Sequence, residues 1–135
     1  MSVVVIDASA VVCAMLPHDK RSAAAGARIA AADLLQAPAV LDFEVIHVIR
    51  RLLLTDALMT EGRAGAMLDL LAELPIQRTP MDRVLASRTL AHRGNLSAYD
   101  ASYVALAETI GATLVTADLR LANAPGIQCA VEAIA

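Results

Sequence analysis

The chain has no tryptophan and only three aromatic residues, Phe43, Tyr99 and Tyr103. Its core must be filled by Ala, Leu and Val, which suits helices packed on a sheet. So few aromatics also limit recognition by base stacking, so a bound nucleic acid would be read through shape and phosphate contacts. Cysteine is scarce too. Cys13 and Cys129 are single and distant, and read as buried thiols, not as a disulfide or a metal pair. His18, His47 and His92 have no zinc-ligand spacing, and no Gly-rich phosphate loop is present. No apolar run reaches the roughly 18 residues of a membrane span. No basic segment precedes the first apolar run, as a signal peptide would require. The expectation is a soluble, cytoplasmic protein. Lysine is nearly absent: Lys20 stands alone among eleven basic residues. The formal net charge of −3 argues against retention on nucleic acid by bulk positive charge. It leaves room for a nuclease whose own site is acidic and carries cations. The ten arginines are also the better phosphate forks.

What is present is organised around one stretch. Ser2-Val3-Val4-Val5-Ile6-Asp7-Ala8-Ser9 begins with an apolar, β-branched run that reads as a short strand buried on both faces. It ends abruptly at a carboxylate, where helix begins. Residues just past the carboxyl end of such a strand line the crevice of an open α/β sheet. Asp7 is also a good N-cap, so capping and a place in the crevice both stand at this point.

The remaining pattern alternates. Helices are predicted over Ala8–Leu16, Lys20–Ala32, Val40–Leu54, Thr60–Leu74, Met81–His92 and Ser97–Ile110, with a short turn or helix over Asp118–Asn123. Strands are predicted over Leu34–Ala37, Pro75–Arg78, Thr113–Thr116 and Ile127–Val131. This order predicts one α/β domain over residues 1–135, a mostly parallel central sheet flanked by helices. There is no internal repeat, low-complexity tract or linker. Arg78, Arg83, Arg88 and Arg93 recur every five residues. Steps of five rotate by about 140° on a helix, so the last three share no face and all four read as mostly solvated charges.

Four of the fourteen acids stand in apolar surroundings: Asp7, Glu44, Asp100 and Asp118. Asp118 could cap a short helix, and Ser97 with Asp100 has capping-box spacing. Glu44 has the weakest ordinary explanation. It lies inside a helix that is apolar nearly all round and is therefore expected to be buried, where a carboxylate needs a partner or loses its charge. At about 100° per residue, Glu44, His47 and Arg51 form one polar seam, with Phe43, Ile46, Ile49 and Leu53 pointing elsewhere. That seam either faces solvent with a Glu–Arg pair or faces the crevice beside Asp7. Four carboxylates in one crevice would repel each other unless cations sat between them. Mg²⁺ or Mn²⁺ takes oxygen ligands and needs few direct carboxylates; it can activate water and stabilise charge on a phosphodiester.

At these residues the chain resembles the PIN-domain ribonucleases, and among them the VapC toxins of bacterial toxin–antitoxin pairs. The resemblance rests on Asp7-Ala8-Ser9, on Glu44 followed by Ile49-Arg50-Arg51, on Leu96-Ser97-Ala98-Tyr99-Asp100-Ala101, and on Val115-Thr116-Ala117-Asp118-Leu119-Arg120-Leu121. It spans essentially the whole chain. It implies a parallel sheet between helices, Mg²⁺-dependent endonucleolytic cleavage of RNA (with Mn²⁺ as a substitute), a cognate antitoxin that blocks the site, and commonly a homodimer. Carried over by position, Asp7, Glu44, Asp100 and Asp118 are implied to be catalytic and to bind the metal. Ser9 and Thr116 are implied to support those carboxylates. His47, where relatives carry a smaller polar residue, and Arg51 are candidate contacts to substrate or antitoxin.

Other acid-using classes fit less well. An Asp-nucleophile phosphate hydrolase calls for a second acid two residues after Asp7, where Ser9 stands. A receiver domain needs a late-strand lysine, and Lys20 is in the wrong place. The remaining alternatives are a PIN-like binding module with little catalysis and a housekeeping RNA-processing nuclease.

Overall fold

The computed structural model describes residues Met1–Ala135. Five strands alternate with seven helices: β1 (Val3–Ile6), α1 (Ala8–Met15), α2 (Ser22–Ala31), β2 (Leu34–Pro38), α3 (Leu41–Thr55), α4 (Glu61–Glu73), β3 (Ile76–Thr79), α5 (Arg83–Ala91), α6 (Ala98–Ile110), β4 (Thr113–Thr116), α7 (Leu119–Ala122) and β5 (Val131–Ala133). The sheet order is β3-β2-β1-β4-β5 and every pairing is parallel. β1 is central, as its unbroken apolar run requires: Val4, Val5 and Ile6 are buried.

The helices form two packed groups. α1 packs against α2, α3 and α4, while α6 packs against α5 and against β1, β2 and β4. The chain moves outward from β1 to β3, then jumps back past β1 to β4. Right-handed crossovers in opposite directions place the two helical groups on opposite faces. α6 is the innermost helix, with every residue from Ala101 to Ala107 buried. Small side chains at Ala101, Ala105 and Ala107 let it lie close to the sheet. Gly111 ends α6 at φ +68°, a left-handed conformation that glycine adopts without steric cost.

Three expectations are corrected. The last strand lies at Val131–Ala133 and not at Ile127–Val131. The N–H of Gln128 is taken by Glu108 Oε2 of α6 at 2.7 Å, so pairing with β4 begins only where the Ala130 carbonyl accepts from Leu114. α3 is not buried all round. Only Leu41, Val45 and Ile49 are buried on it, one narrow stripe, whereas Phe43, Ile46, Leu53 and Leu54 are exposed. Arg78 is not a mostly solvated charge. Its guanidinium reaches both oxygens of Asp42, at 2.8 and 3.2 Å, and ties the edge strand β3 to the start of α3.

No helix is long and apolar enough to cross a membrane. Cys13 and Cys129 are both free thiols, but only Cys13 is buried as expected; Cys129 is half-buried.

Candidate active site

The order of the strands decides where a site can form. The chain leaves β1 on one side and comes back to it through β4 on the other, so the connections that follow these two neighbours diverge. A crevice opens beyond their carboxyl ends. Asp7 follows β1 directly, and Asp118 comes two residues after β4.

Asp7 is 4% exposed. Its Oδ1 accepts from the Ala10 N–H at 3.0 Å, which caps α1, and from the Ser9 hydroxyl at 2.7 Å. Its Oδ2 accepts from the Thr116 hydroxyl at 2.5 Å. Ser9 Oγ in turn accepts from the Ala117 N–H at 2.9 Å, and Thr116 Oγ1 from the Asp118 N–H at 3.0 Å. A hydroxyl has one proton, and both point at Asp7. The 3.2 Å approach of Ser9 Oγ to Thr116 Oγ1 is therefore a contact, not a further bond. Together these bonds stitch the turn after β1 to the turn after β4. Arg21 braces the same turn from outside, donating to the Ala117 carbonyl at 3.0 Å.

None of the three donors to Asp7 is a cation. Burial pushes the Asp7 carboxyl up to about 6, against the opposing pull of its three hydrogen bonds, and the charge of Asp100 adds to the rise. Glu44 of α3 and Asp100 of α6 are likewise raised, first by burial and then by a neighbouring carboxylate: Asp100 for Glu44, Asp118 for Asp100. Asp100 is thus the carboxylate that links the other three. All four line one cleft of about 490 Å³, together with Ser9, His47, Phe43 and Tyr99.

The capping roles weighed for these acids hold alongside the cleft. Asp118 caps α7, accepting from the N–H groups of Arg120 and Leu121. Ser97 caps α6, accepting from the Asp100 N–H. Capping and crevice are not rivals, because a helix that starts at the carboxyl edge of the sheet puts its capping carboxylate there.

The α3 seam resolves differently along its length. Glu44 and His47 line the cleft, and Phe43, expected to point away from that seam, lines it with them. Arg51, one turn further, is exposed, lies outside the cleft lining and enters no ion pair. The partner of Glu44 is Tyr103 of α6, whose hydroxyl donates to Oε1 at 2.5 Å. Tyr103 is 1% exposed. Burial and then the Glu44 carboxylate hold its phenol above the ordinary range, so it remains a donor. The guanidinium that meets the acids belongs to Arg120, 3.4 Å from Asp118 Oδ2 and 3.7 Å from Asp100 Oδ2. Its side chain is 82% exposed, so these pairs contribute little to stability. Tyr103 and Arg120 have no role in the sequence reading. The signal for Tyr103 is its spacing three residues after Asp100, which puts both on one face of α6. Arg120 has only its closeness to Asp118.

No three His, Cys, Asp or Glu side chains are arranged to hold a metal ion among themselves. An oxygen-only donor set with raised carboxylates and no buried cation still fits a hard divalent ion that takes one or two carboxylates and keeps its waters.

A sequence profile of the PIN domain matches residues 4–127. Ribonuclease VapC1 of Mycobacterium tuberculosis is 40% identical over 130 residues, 96% of each chain. This chain belongs to the PIN-domain family, among its VapC ribonucleases. Ribonuclease VapC9 of the same organism is 39% identical over 132 residues, 97% of this chain and 98% of that protein. The PIN fold is shared with VapBC2 from Rickettsia felis, solved bound to a DNA fragment from their promoter, with a TM-score of 0.69 at 12% identity, over 97% of this chain and 98% of that one. In this PIN domain, then, the sheet edge that carries Asp7 and Asp118 is also where α3 and α6 bring Glu44 and Asp100.

Proposed function

We propose that the chain is a Mg²⁺-dependent endoribonuclease and the toxin of a type II toxin–antitoxin pair, with Mn²⁺ able to replace Mg²⁺. The observation that carries this reading is the convergence of four carboxylates, from four separated segments, on one cleft with no buried cation among them. The identity to VapC ribonucleases over nearly the whole chain supports the same reading.

Asp7 and Asp100 would hold the principal ion, with Glu44 and Asp118 completing the charge. The bound ion would supply the positive charge that lowers the pKa of a water and steadies charge on the phosphodiester. The remaining work falls to the chain. Ser9 and Thr116 fix the Asp7 carboxylate by donating to it. Tyr103 orients Glu44 and, by donating to it, favours its ionised form against the effect of burial. Arg120, already at the acid rim, is the cation that would meet a phosphate oxygen. Arg51 stands too far along α3 for that. His47, exposed on the cleft wall, would touch substrate or antitoxin. An antitoxin partner, supported by the fold likeness to VapBC2, a homodimer and a cytoplasmic location belong to the same reading.

The test is cleavage of total cellular RNA by purified protein with Mg²⁺, with Mn²⁺ and with EDTA, beside Asp7→Asn. Asn keeps the helix cap and removes the charge. Discrete fragments that disappear with EDTA and with the variant are expected. Folded, partner-free protein that leaves RNA intact under either metal would instead mark a PIN-like binding module.

A further inference from the structure

Two of the three aromatic residues stand in the open at the cleft. Phenylalanine is among the residue types most often buried, yet Phe43 is 75% exposed and Tyr99 61%, while the third aromatic, Tyr103, is 1% exposed. Both exposed rings line the cleft that holds the four acids. Each directly precedes a cleft carboxylate in sequence: Phe43 before Glu44 on α3, Tyr99 before Asp100 on α6. The 2.5 Å bond from Tyr103 to Glu44 joins those two helices, so the rings are carried on a fixed frame.

We propose that Phe43 and Tyr99 are specificity-determining residues: stacking platforms for unpaired RNA bases on either side of the phosphodiester to be cut. The inference rests on the ribonuclease reading and adds to it which part of the RNA is gripped. Beyond the reach of a bound ion a cleft of four acids repels phosphate, its lining holds no Lys or Arg, and the chain as a whole carries a net charge of −3. Single-strand binding draws on two sources, backbone charge and base stacking. Where the first is weak, the second must carry the affinity, and uncharged bases are the part of RNA an acidic wall accepts. Bases within an A-form duplex are stacked on one another and cannot reach such rings, so the segment bound is unpaired. Scarcity of aromatics is thus no argument against stacking here: what counts is where the few are placed.

The experiment uses a short RNA spanning a site cut in total RNA, made intact and with an abasic residue on either side of the cut. It is cleaved by wild type, Phe43→Leu and Tyr99→Leu, which keep apolar bulk and lose the ring face. Each variant is expected to raise KM about tenfold and to leave kcat within about twofold. The abasic RNA should cost wild type a similar factor, and the matching variant should lose little more on that RNA, because ring and base act as one pair. Variant and abasic losses that simply multiply overturn the proposal. So does unchanged cleavage by both variants, which would assign the rings to a protein partner, or a change of oligomeric state that accounts for the loss. If the wild type cuts no RNA, the ribonuclease reading falls and takes this inference with it; wild-type cutting with unaffected variants removes this inference alone.

Discussion

α6 carries a carboxylate near each end, and its surroundings treat the two in opposite ways. Toward the C-terminal end, Glu108 faces His92 Nε2 at 2.7 Å and accepts the Gln128 N–H at 2.7 Å. An imidazole and a backbone amide satisfy both oxygens, and the pair is nearly sealed, with side chains 11% and 14% exposed. At the N-terminal end, Asp100 joins Asp7, Glu44 and Asp118. There the donors are hydroxyls and backbone amides, the lone guanidinium is out in solvent, and burial raises three of the four acids. One end meets its electrostatic demand with the chain's own groups. The other leaves a demand that only something from outside can meet. The second arrangement is unfavourable in the chain by itself, which is a mark of a functional site.

The comparison breaks most sharply at Asp7. Asp7→Asn should reduce RNA cleavage by on the order of a hundredfold or more and yet stabilise the metal-free protein at neutral pH. The sign follows from the folded value, raised from 3.8 to about 6. A carboxyl raised in this way contributes stability that is fully present below pH 3.8 and lost as pH climbs through about 6. The loss amounts to roughly 3 kcal/mol for a rise of about two units, and Asn cannot ionise. Chemical unfolding in EDTA from pH 4 to pH 8 should therefore show wild type weakening over that window and the variant much less. Added Mg²⁺ should narrow the gap at pH 7.5 far more than at pH 5. A variant as pH-sensitive as wild type would show that Asp7 is not the strained group.

At the self-sufficient end the outcome should reverse. His92→Ala removes the donor that faces a nearly buried carboxylate and should cost about 2 kcal/mol in unfolding free energy, with cleavage unaltered at temperatures where the protein is folded. Loss of cleavage in folded protein would mean that the two ends of α6 are coupled.

Tyr103→Phe sharpens the contrast with the smallest change, one hydroxyl. It should cost about 1.5 kcal/mol, the lower end for a hydrogen bond to a charged group. Without that donor Glu44 rises further, so the acidic limb of the pH–rate profile should move to higher pH. A stability loss with an unmoved limb would leave Tyr103 as packing alone.

Much of this was legible in advance. The apolar run Val3–Ile6 is buried at the sheet centre because it has no polar face to turn outward. Capping roles could be read at Asp7, Ser97 and Asp118, since a cap is a matter of two or three neighbouring residues. The α3 seam was legible only in part. Periodicity showed that Glu44 and His47 share a stripe, but not how far along the helix the cleft extends, and Arg51 lies beyond it. The last strand was misplaced because the Glu108 side chain, twenty residues away, takes the Gln128 N–H that a strand would have used.

By itself the sequence determined the alternation of strand and helix, the parallel sheet that this alternation demands, and the four acids out of fourteen set among apolar neighbours. These follow from local patterns of burial and capping. Tertiary structure alone decided the partnerships: Thr116 with Asp7 across 109 positions, Tyr103 with Glu44 across 59, and two of the three aromatics in the open beside the acids. The reason is topological. The reversal of strand order between β1 and β4 opens the crevice, and only the packing of α3 and α6 over its two sides determines which side chains meet within it.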